Sequence, residues 1–386
     1  AQMVDLWGDI PFSQAGQLIT KGGQIELGKY DKGKDVYDTI LNDLQNISGY
    51  LATVNPDPYY AGLLQKYDFI NHGNIMMWRR YCNSLLLRLA MRISYENEPE
   101  AKSIVQQILG NPSQYPLVDD NTENIEIVAI GPNLNSIINH HQNGIQGGMG
   151  GTLAPGYMLN NIMKPSGDPR IQVFFSQNKN GDYEGVPDDW TTETQNDSSA
   201  SNHFSRYDST TFIMNNEFPG IIFTAAEVDF FKAEAYQRWG GGDPAAAYNE
   251  GIEQSVAFWY EVNHLNINDV GFANYDPKTP PTDAQVATFL QNPIVAYTGT
   301  PDQLLDKIAT EQWINYGLMQ AYQGWAEIRR TGYPALSFTT DAGSLQSPLP
   351  PDRLLYPVDE STLNAQNYAA VKAEDNVNTK IFWDVK

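Results

Sequence analysis

Three hundred and eighty-six residues allow one large domain or two to three ordinary ones. Forty-six acidic residues against twenty-four basic ones leave a net charge of −22, which argues against a nucleic-acid binder or a polybasic membrane-surface module. Apolar residues make up 41% of the chain, enough for a core and too many for disorder, and no run of ~18 apolar residues would span a bilayer.

Cys82 is alone, so neither an intrachain disulfide nor a cysteine-based zinc cage is available, and the count does not fix the compartment. Aromatic residues reach 12%, led by twenty-two Tyr with eight Trp. Flat rings beside amide side chains suit sugars: a ring stacks on the apolar face of a pyranose while amides and carboxylates bond its hydroxyls. Most of these rings are expected to be packing groups all the same.

The chain opens on Ala1-Gln2-Met3 without a basic or apolar leader. Trp7-Gly8-Asp9-Ile10-Pro11-Phe12 reads as a turn entering an extended segment. Val36, Ile40, Leu44 and Ile47 form one apolar stripe, predicting a helix from Lys32 to Leu51 that Asn55-Pro56-Asp57-Pro58 breaks. The strongest helix signal follows, from Ile75 to Ile93. It carries Trp78, Tyr81, Cys82, Leu85, Leu86 and Leu89 alongside Arg79, Arg80, Arg88 and Arg92, as in a helix buried on most sides whose arginines reach carboxylates or water. A short helix runs from Pro99 to Gly110.

Residues 111–220 are rich in Pro, Gly, Asn, Asp and Ser. Ile125–Ile130, Ile171–Phe175 and Thr211–Met214 look like small strands, and Gly144 to Gly151 like a Gly-rich loop, within an irregular lobe whose long loops point to function. Helices return at the capping box Thr224-Ala-Ala-Glu227, run to Trp239, stop at Gly240-Gly241-Gly242 and restart at Asp243-Pro244. That makes a helical hairpin of about the tetratricopeptide period. Thr300-Pro301-Asp302-Gln303 is another capping box, whose apolar face continues through Leu304, Ile308 and Trp313 to Trp325 and Ile328 before Arg329-Arg330-Thr331-Gly332-Tyr333-Pro334. The tail from Pro348 reads as mostly irregular.

Several apparent motifs carry no chemistry. Gly23-x4-Gly28-Lys29 lacks the Ser or Thr of a phosphate loop, because Tyr30 follows. Gly147-Gly148-Met149-Gly150-Gly151 lacks dinucleotide-binding spacing. His140 and His141 are neighbours and point apart, while His72, His203 and His264 stand singly. Asn178-Lys-Asn180-Gly181-Asp182 begins like a calcium loop, but Pro187 replaces the twelfth-position Glu, so a plain turn is preferred. No cofactor or metal is called for; calcium is left open. Acidic pairs such as Asp188-Asp189 do not amount to a catalytic signature.

Seven segments resemble one family in order along the chain. Asp5-Leu6-Trp7-Gly8-Asp9-Ile10-Pro11 resembles its opening motif, and Asn83-Ser-Leu-Leu-Leu-Arg88-Leu-Ala its arginine-bearing helix. Gly167-Asp168-Pro169-Arg170 and Tyr183-Glu184-Gly185-Val186-Pro187 resemble its Asp-Pro-Arg and Gly-x-Pro turns, and Ala226 to Ala235 its tetratricopeptide-like helix. Gly324 to Pro334 and Arg353-Leu354-Leu355-Tyr356-Pro357 complete the set. The family is the SusD/RagB group of outer-membrane nutrient-binding lipoproteins.

The resemblance implies a mainly α fold of tetratricopeptide-like hairpins with a loop-rich ligand-binding lobe. The expected layout is one domain over 1–386 without its usual N-terminal segment. Its scaffold would lie at about 30–110, 222–262 and 300–332, and its irregular lobe at 111–220 and 265–299. The resemblance further implies a lipid-anchored protein on the extracellular face of the outer membrane, with an anchor outside this chain, that passes oligosaccharides to a SusC-like TonB-dependent transporter. It implies no enzyme activity. A peptide-binding, RagB-like role is the alternative, and a glycoside hydrolase is disfavoured.

Arg88, Arg92, Arg329 and Arg330 are expected to hold helices in register through carboxylates such as Glu227 and Glu234. Trp78 and Trp325 are expected in the core. Trp190, Tyr183, Tyr207 and Phe204, in loops outside any apolar stripe, are the candidate ligand rings. Asp189, Asn202 and Arg206 are candidate hydrogen-bonding partners, and Tyr275 and Tyr297 form a second set.

Overall fold

The computed structural model describes residues 1–17, 27–128, 143–187, 190, 193, 202–265, 275–337 and 350–386. The first hairpin follows from the apolar stripes. Helix α1 (Gln2–Trp7) leads to α2 (Gly33–Leu51), α3 (Pro58–Tyr67), α4 (Ile75–Arg92) and α5 (Glu98–Leu109). α2 packs on α4 and α4 on α5, burying Val36, Leu41, Leu86, Leu89 and Val105 in one core.

The second hairpin is α6 (Ala225–Trp239) and α7 (Pro244–His264), closed by Gly240 at φ +72°. α8 (Asp283–Leu290), α9 (Pro301–Tyr316) and α10 (Ala321–Thr331) complete the scaffold. α6 is apolar on two faces and serves two cores. Val228 and Phe231 join the first, while Ala226, Phe230 and Ala233 join a second with Tyr248, Trp259, Phe174 and Phe212.

The lobe departs from the predicted strands. Ile125–Ile127 does pair antiparallel with Gly220–Phe223. Ile171–Phe174, however, is helical, and only Phe175–Ser176 is strand, paired with Arg206–Tyr207. Ser209–Ile213 is a π-helical turn. In both cases an aspartate decides the outcome. Asp168 accepts the Arg170 N–H and Asp208 the Thr211 N–H, each at 2.8 Å, winding β-branched sequence into turns.

The Gly-rich stretch is also helical over 143–149, because Ile145 and Met149 sit one turn apart and enter the second core. The predicted apolar face from Leu304 to Ile328 spans two helices, since Gly317 at φ +47° ends α9. At Thr224 only half of the expected box forms: the Thr hydroxyl caps Glu227 N–H at 3.4 Å, but the Glu227 carboxylate turns to Arg88. A complete box stands at Thr300–Gln303, and a second, at Thr282–Gln285, starts α8.

Buried ion pairs tie the helices together. Arg88 on α4 grips Glu227 on α6 at 2.5 and 2.6 Å. Arg330 on α10 grips Glu234 at 2.5 and 2.8 Å, and Arg92 reaches Glu327 at 3.1 Å. Arg329 is the exception among the four arginines. It donates to the carbonyls of Asp5 and Asp352 at 2.8 and 2.7 Å, and burial lowers its pKa to about 10. The opening and closing motifs also meet: Trp383 Nε1 donates to Asp5 Oδ1 at 2.9 Å and Leu354 N–H to the Leu6 carbonyl at 2.8 Å. Gly8, at φ +79°, leaves room for the Arg353 guanidinium, 3.2 Å from where a Cβ would stand.

Candidate functional site

The C-terminal end of α7 anchors an extended strap over 275–281. Asp276 N–H donates to Thr210 Oγ1 at 3.0 Å and Lys278 N–H to Asn263 Oδ1 at 2.8 Å. His264 Nε2 lies 2.7 Å from the Lys278 carbonyl, so that nitrogen carries the proton. Pro277, Pro280 and Pro281 keep the strap extended and give up no needed donor.

The strap crosses an open trough. On one side a space of about 1070 Å³ is lined by Gln172, Lys278, Gln285, Thr288, Gln291 and Asn292, with Tyr260 and Phe289. On the other a hollow of about 530 Å³ has Val256, Ala257 and Val286 in its wall, with Glu253, Glu261 and Asp283 exposed around it. Tyr260, Pro280 and Pro281 line both, so the two spaces form one feature.

The walls are fixed from behind. The Tyr260 hydroxyl donates to the Pro169 carbonyl at 2.8 Å and accepts from Gln172 Nε2. Asn292 Nδ2 donates to the carbonyls of Pro165 and Ser166 at 3.2 and 3.0 Å. The Asp168-Pro169-Arg170 turn is held by a buried trio, in which Arg170 Nη2 reaches Asp168 at 2.6 Å and Glu311 at 2.7 Å.

Exposed Glu253, Glu261 and Asp283 leave the smaller hollow acidic. Lys278 is paired with Asp276. Burial, then the charges of Glu250 and Asp283, raises the Glu253 pKa. Among the described residues, no three His, Cys, Asp or Glu side chains are placed to hold a metal ion. Amides, hydroxyls and ring or proline C–H faces side by side are equipment for binding a neutral polyhydroxylated molecule.

The sequence-selected residues divide. Trp190 meets Phe204 edge-on at 5.5 Å, and Phe204 is only 3% exposed. Tyr207 packs between Phe175 and Phe212 at 5.3 and 5.6 Å, and burial lifts its hydroxyl to about 12. Tyr183 is half-buried against the second core. Arg206 Nη1 donates to the Gly151 carbonyl at 2.6 Å, and Asn202 is exposed in a left-handed turn. Asp189 lies outside the described residues, as do His140 and His141.

Tyr297 packs on Tyr248 at 5.2 Å and donates to Gln237 Oε1 at 2.9 Å. Tyr275 opens the strap, its hydroxyl donating to the His264 carbonyl at 3.4 Å. The Asn178 amide oxygen accepts the N–H groups of Asn180 and Asp182 at 2.9 and 3.2 Å, which is the expected turn.

Sequence reasoning missed two features. The trough amides lie near the Thr282 capping box, a helix start that could have been read. Three strongly exposed rings stand on α3: Tyr59, Tyr60 and Tyr67 are 70%, 59% and 66% exposed. Their signal was Asp57-Pro58, an N-cap with Pro at N1 where a break was read. Trp78, expected in the core, is half-buried, donates to Asp68 at 2.6 Å and lines an apolar hollow with Tyr60 and Tyr67. Trp325 is half-buried beneath the Arg329 guanidinium, 3.8 Å from its ring centre.

Comparison with known proteins places this architecture. A solved chitin-binding protein is 25% identical, matches 100% of this chain and 78% of its own, and superposes with a TM-score of 0.75. A chitin-binding SusD homologue from Flavobacterium johnsoniae is 23% identical over 100% of this chain and 78% of its own, at 0.74. A SusD homologue from Bacteroides fragilis is 23% identical over 99% and 80%, at 0.76. No curated protein matches the chain. The model of the SusD-like family described as "Starch-binding associating with outer membrane" matches residues 1–357, and the chain belongs to that family.

Proposed function

We propose that this protein captures oligosaccharides at the cell surface and delivers them to a SusC-like TonB-dependent transporter, breaking no bond itself. The observation that carries the reading is the trough: Gln172, Gln285, Thr288, Gln291 and Asn292 gathered around Tyr260 on a chain of this family. Two structural relatives are described as chitin-binding, which supports a glycan ligand. A sugar would set its C–H faces on Tyr260, Phe289 and the strap prolines and exchange water for amide hydrogen bonds. Release to a transporter requires modest affinity, about −4 to −8 kcal/mol, or millimolar to micromolar Kd. The family description supports a place at the outer membrane, and we assign the protein a lipid anchor on its extracellular face.

Calorimetry against soluble oligosaccharides and short peptides tests the reading. Sugars should give heat, and Thr288→Ala with Gln291→Ala should weaken them about tenfold. Peptide heat without sugar heat would move the assignment to a peptide carrier. Sugar turnover would end the binding-protein account. Loss of sugar heat in Trp190→Ala, with the trough variant unaffected, would move the site to the Trp190–Phe204 loop. Delivery is tested by co-purification with an outer-membrane barrel.

A further inference from the structure

A separate hollow of about 380 Å³ adjoins the trough. Asn292 lines the trough while Pro293 and Ile294 line this hollow, so one short segment divides the two. Asp306, Lys307 and Thr310 enter its wall from a single face of α9. Tyr157 and Tyr248 add two rings.

The charges here do not balance. Glu311 lines the hollow although it is only 3% exposed. Its Oε2 accepts from Arg170 at 2.7 Å, while its Oε1 accepts no hydrogen bond among the described residues. Arg170 is divided between Glu311 and Asp168, which leaves that trio one negative charge. Asp306 adds a second carboxylate, accepting from the Thr310 hydroxyl at 3.2 Å. The Lys307 ammonium is committed to the carbonyls of Pro293 and Ala296 at 3.0 and 2.6 Å. Even with Lys307 counted, three carboxylates meet two cations. Burial raises the pKa of both Glu311 and Asp306 despite those cations, as befits carboxylates short of positive partners.

We propose that this hollow binds a primary ammonium group, carried by an amino sugar or by a peptide, with Glu311 Oε1 and Asp306 accepting its N–H bonds beside the rings of Tyr157 and Tyr248. Ammonium chemistry fits all three features: an idle acceptor, an excess negative charge and aromatic rings. A sugar hydroxyl supplies the donor but leaves the charge unanswered, and an anion is repelled. A metal ion does not fit, since no three ligating side chains converge among the described residues. The site shares no residue with the amides on which the glycan reading rests, so either can fail alone.

The test is calorimetry at pH 7 in 0.15 M salt with two matched pairs. One pair is the β-1,4-linked glucosamine and glucose tetramers. The other is tetraglycine and its N-acetylated form. The amine-bearing member of at least one pair should bind about five- to tenfold tighter than its match. Preference in the sugar pair alone names an amino sugar as the source, and in the peptide pair alone a peptide. Asp306→Asn should abolish the preference, with an unchanged urea midpoint showing that the fold is kept. Tyr157→Leu, which keeps an apolar side chain and removes the ring, should weaken it. Glu253→Gln with Asp283→Asn, carboxylates of the trough's smaller hollow, should leave it intact.

Equal binding within both pairs would overturn the site. So would a preference that survives Asp306→Asn, or one lost equally in the Glu253 and Asp283 variant, which would mark a general attraction to acidic surface. Glucose-tetramer heat without any amine preference would end the ammonium site and leave the glycan reading standing. Heat from tetraglycine alone, lost in Asp306→Asn, would do the reverse.

Discussion

Replacing Arg170 with Met should cost more than any surface change, and the cost should depend on pH in a stated direction. Arg170 is fully buried, and its guanidinium serves Asp168 at 2.6 Å and Glu311 at 2.7 Å, both buried, and the Ser255 hydroxyl at 3.1 Å. Removing the cation leaves two carboxylates facing each other without compensation. Breaking a buried pair costs about 3–5 kcal/mol. Burial already raises the Glu311 pKa in the native protein, against the pull of Arg170. Without Arg170 the pair must take up a proton to stay buried.

The folded variant then binds more protons than its unfolded chain above the ordinary carboxylate range. Its stability falls as pH rises, by about 1.4 kcal/mol per pH unit for each proton held. Urea unfolding at pH 5 and pH 7.5 reads both quantities. The deficit relative to wild type should be smaller at pH 5, and Asp168→Asn with Glu311→Gln added to Arg170→Met should recover much of it. A loss below 1 kcal/mol, or a deficit that ignores pH, would refute the role given to this trio. Because Gly167 and Pro169 line the trough, sugar affinity should fall in the variant at pH 7.5.

Gly156→Ala should destabilise by about 1–3 kcal/mol in urea unfolding, since its Cβ would stand 2.1 Å from the Val186 carbonyl oxygen. Tyr260→Phe should cost about 1 kcal/mol through the lost bond to Pro169 and should weaken sugar binding in calorimetry, because the ring would no longer be pinned to the trough wall. Burial, then the charge of Glu261, raises Glu126 from 4.5 to about 7. Its folded form therefore keeps a proton that the unfolded chain has lost, and stability drains away as pH climbs through that window. Glu126→Gln should accordingly raise the urea midpoint at pH 8 and leave it unchanged at pH 4.

The scaffold was legible because its signals are local. Val36, Ile40 and Leu44 repeat at helical spacing, and Asp243-Pro244 and Thr300-Pro301 announce starts that the structure keeps. The arginine partners Glu227 and Glu234 were legible because a buried cation must find a carboxylate, and few acidic residues fall on apolar stripes. Arg329 differs because backbone carbonyls at Asp5 and Asp352 come to it from distant segments, which no local pattern records. The lobe was misread where an Asp cap overrode β-branched propensity. The trough was invisible because Tyr260, Gln172 and Gln291 are far apart in sequence and meet only through the folded strap.

Placing recognition on a strap has a consequence for specificity. Thr288 and Gln291 are exposed, and Lys278 enters the wall from the strap rather than a helix. Exchanging them alters what the trough accepts without opening a cavity in either core. The parts that cannot vary lie beneath: Arg170 with its two carboxylates, Asn263 under Lys278, and Phe289 docked from α8. On the proposed reading, a frame locked by buried ion pairs fixes where a ligand lies, while a few wall residues decide what it is. Transplanting Thr288 and Gln291 into a relative that differs at the matching positions should carry this chain's sugar preference with them. If the preference does not move, the wall is not where this chain keeps its specificity.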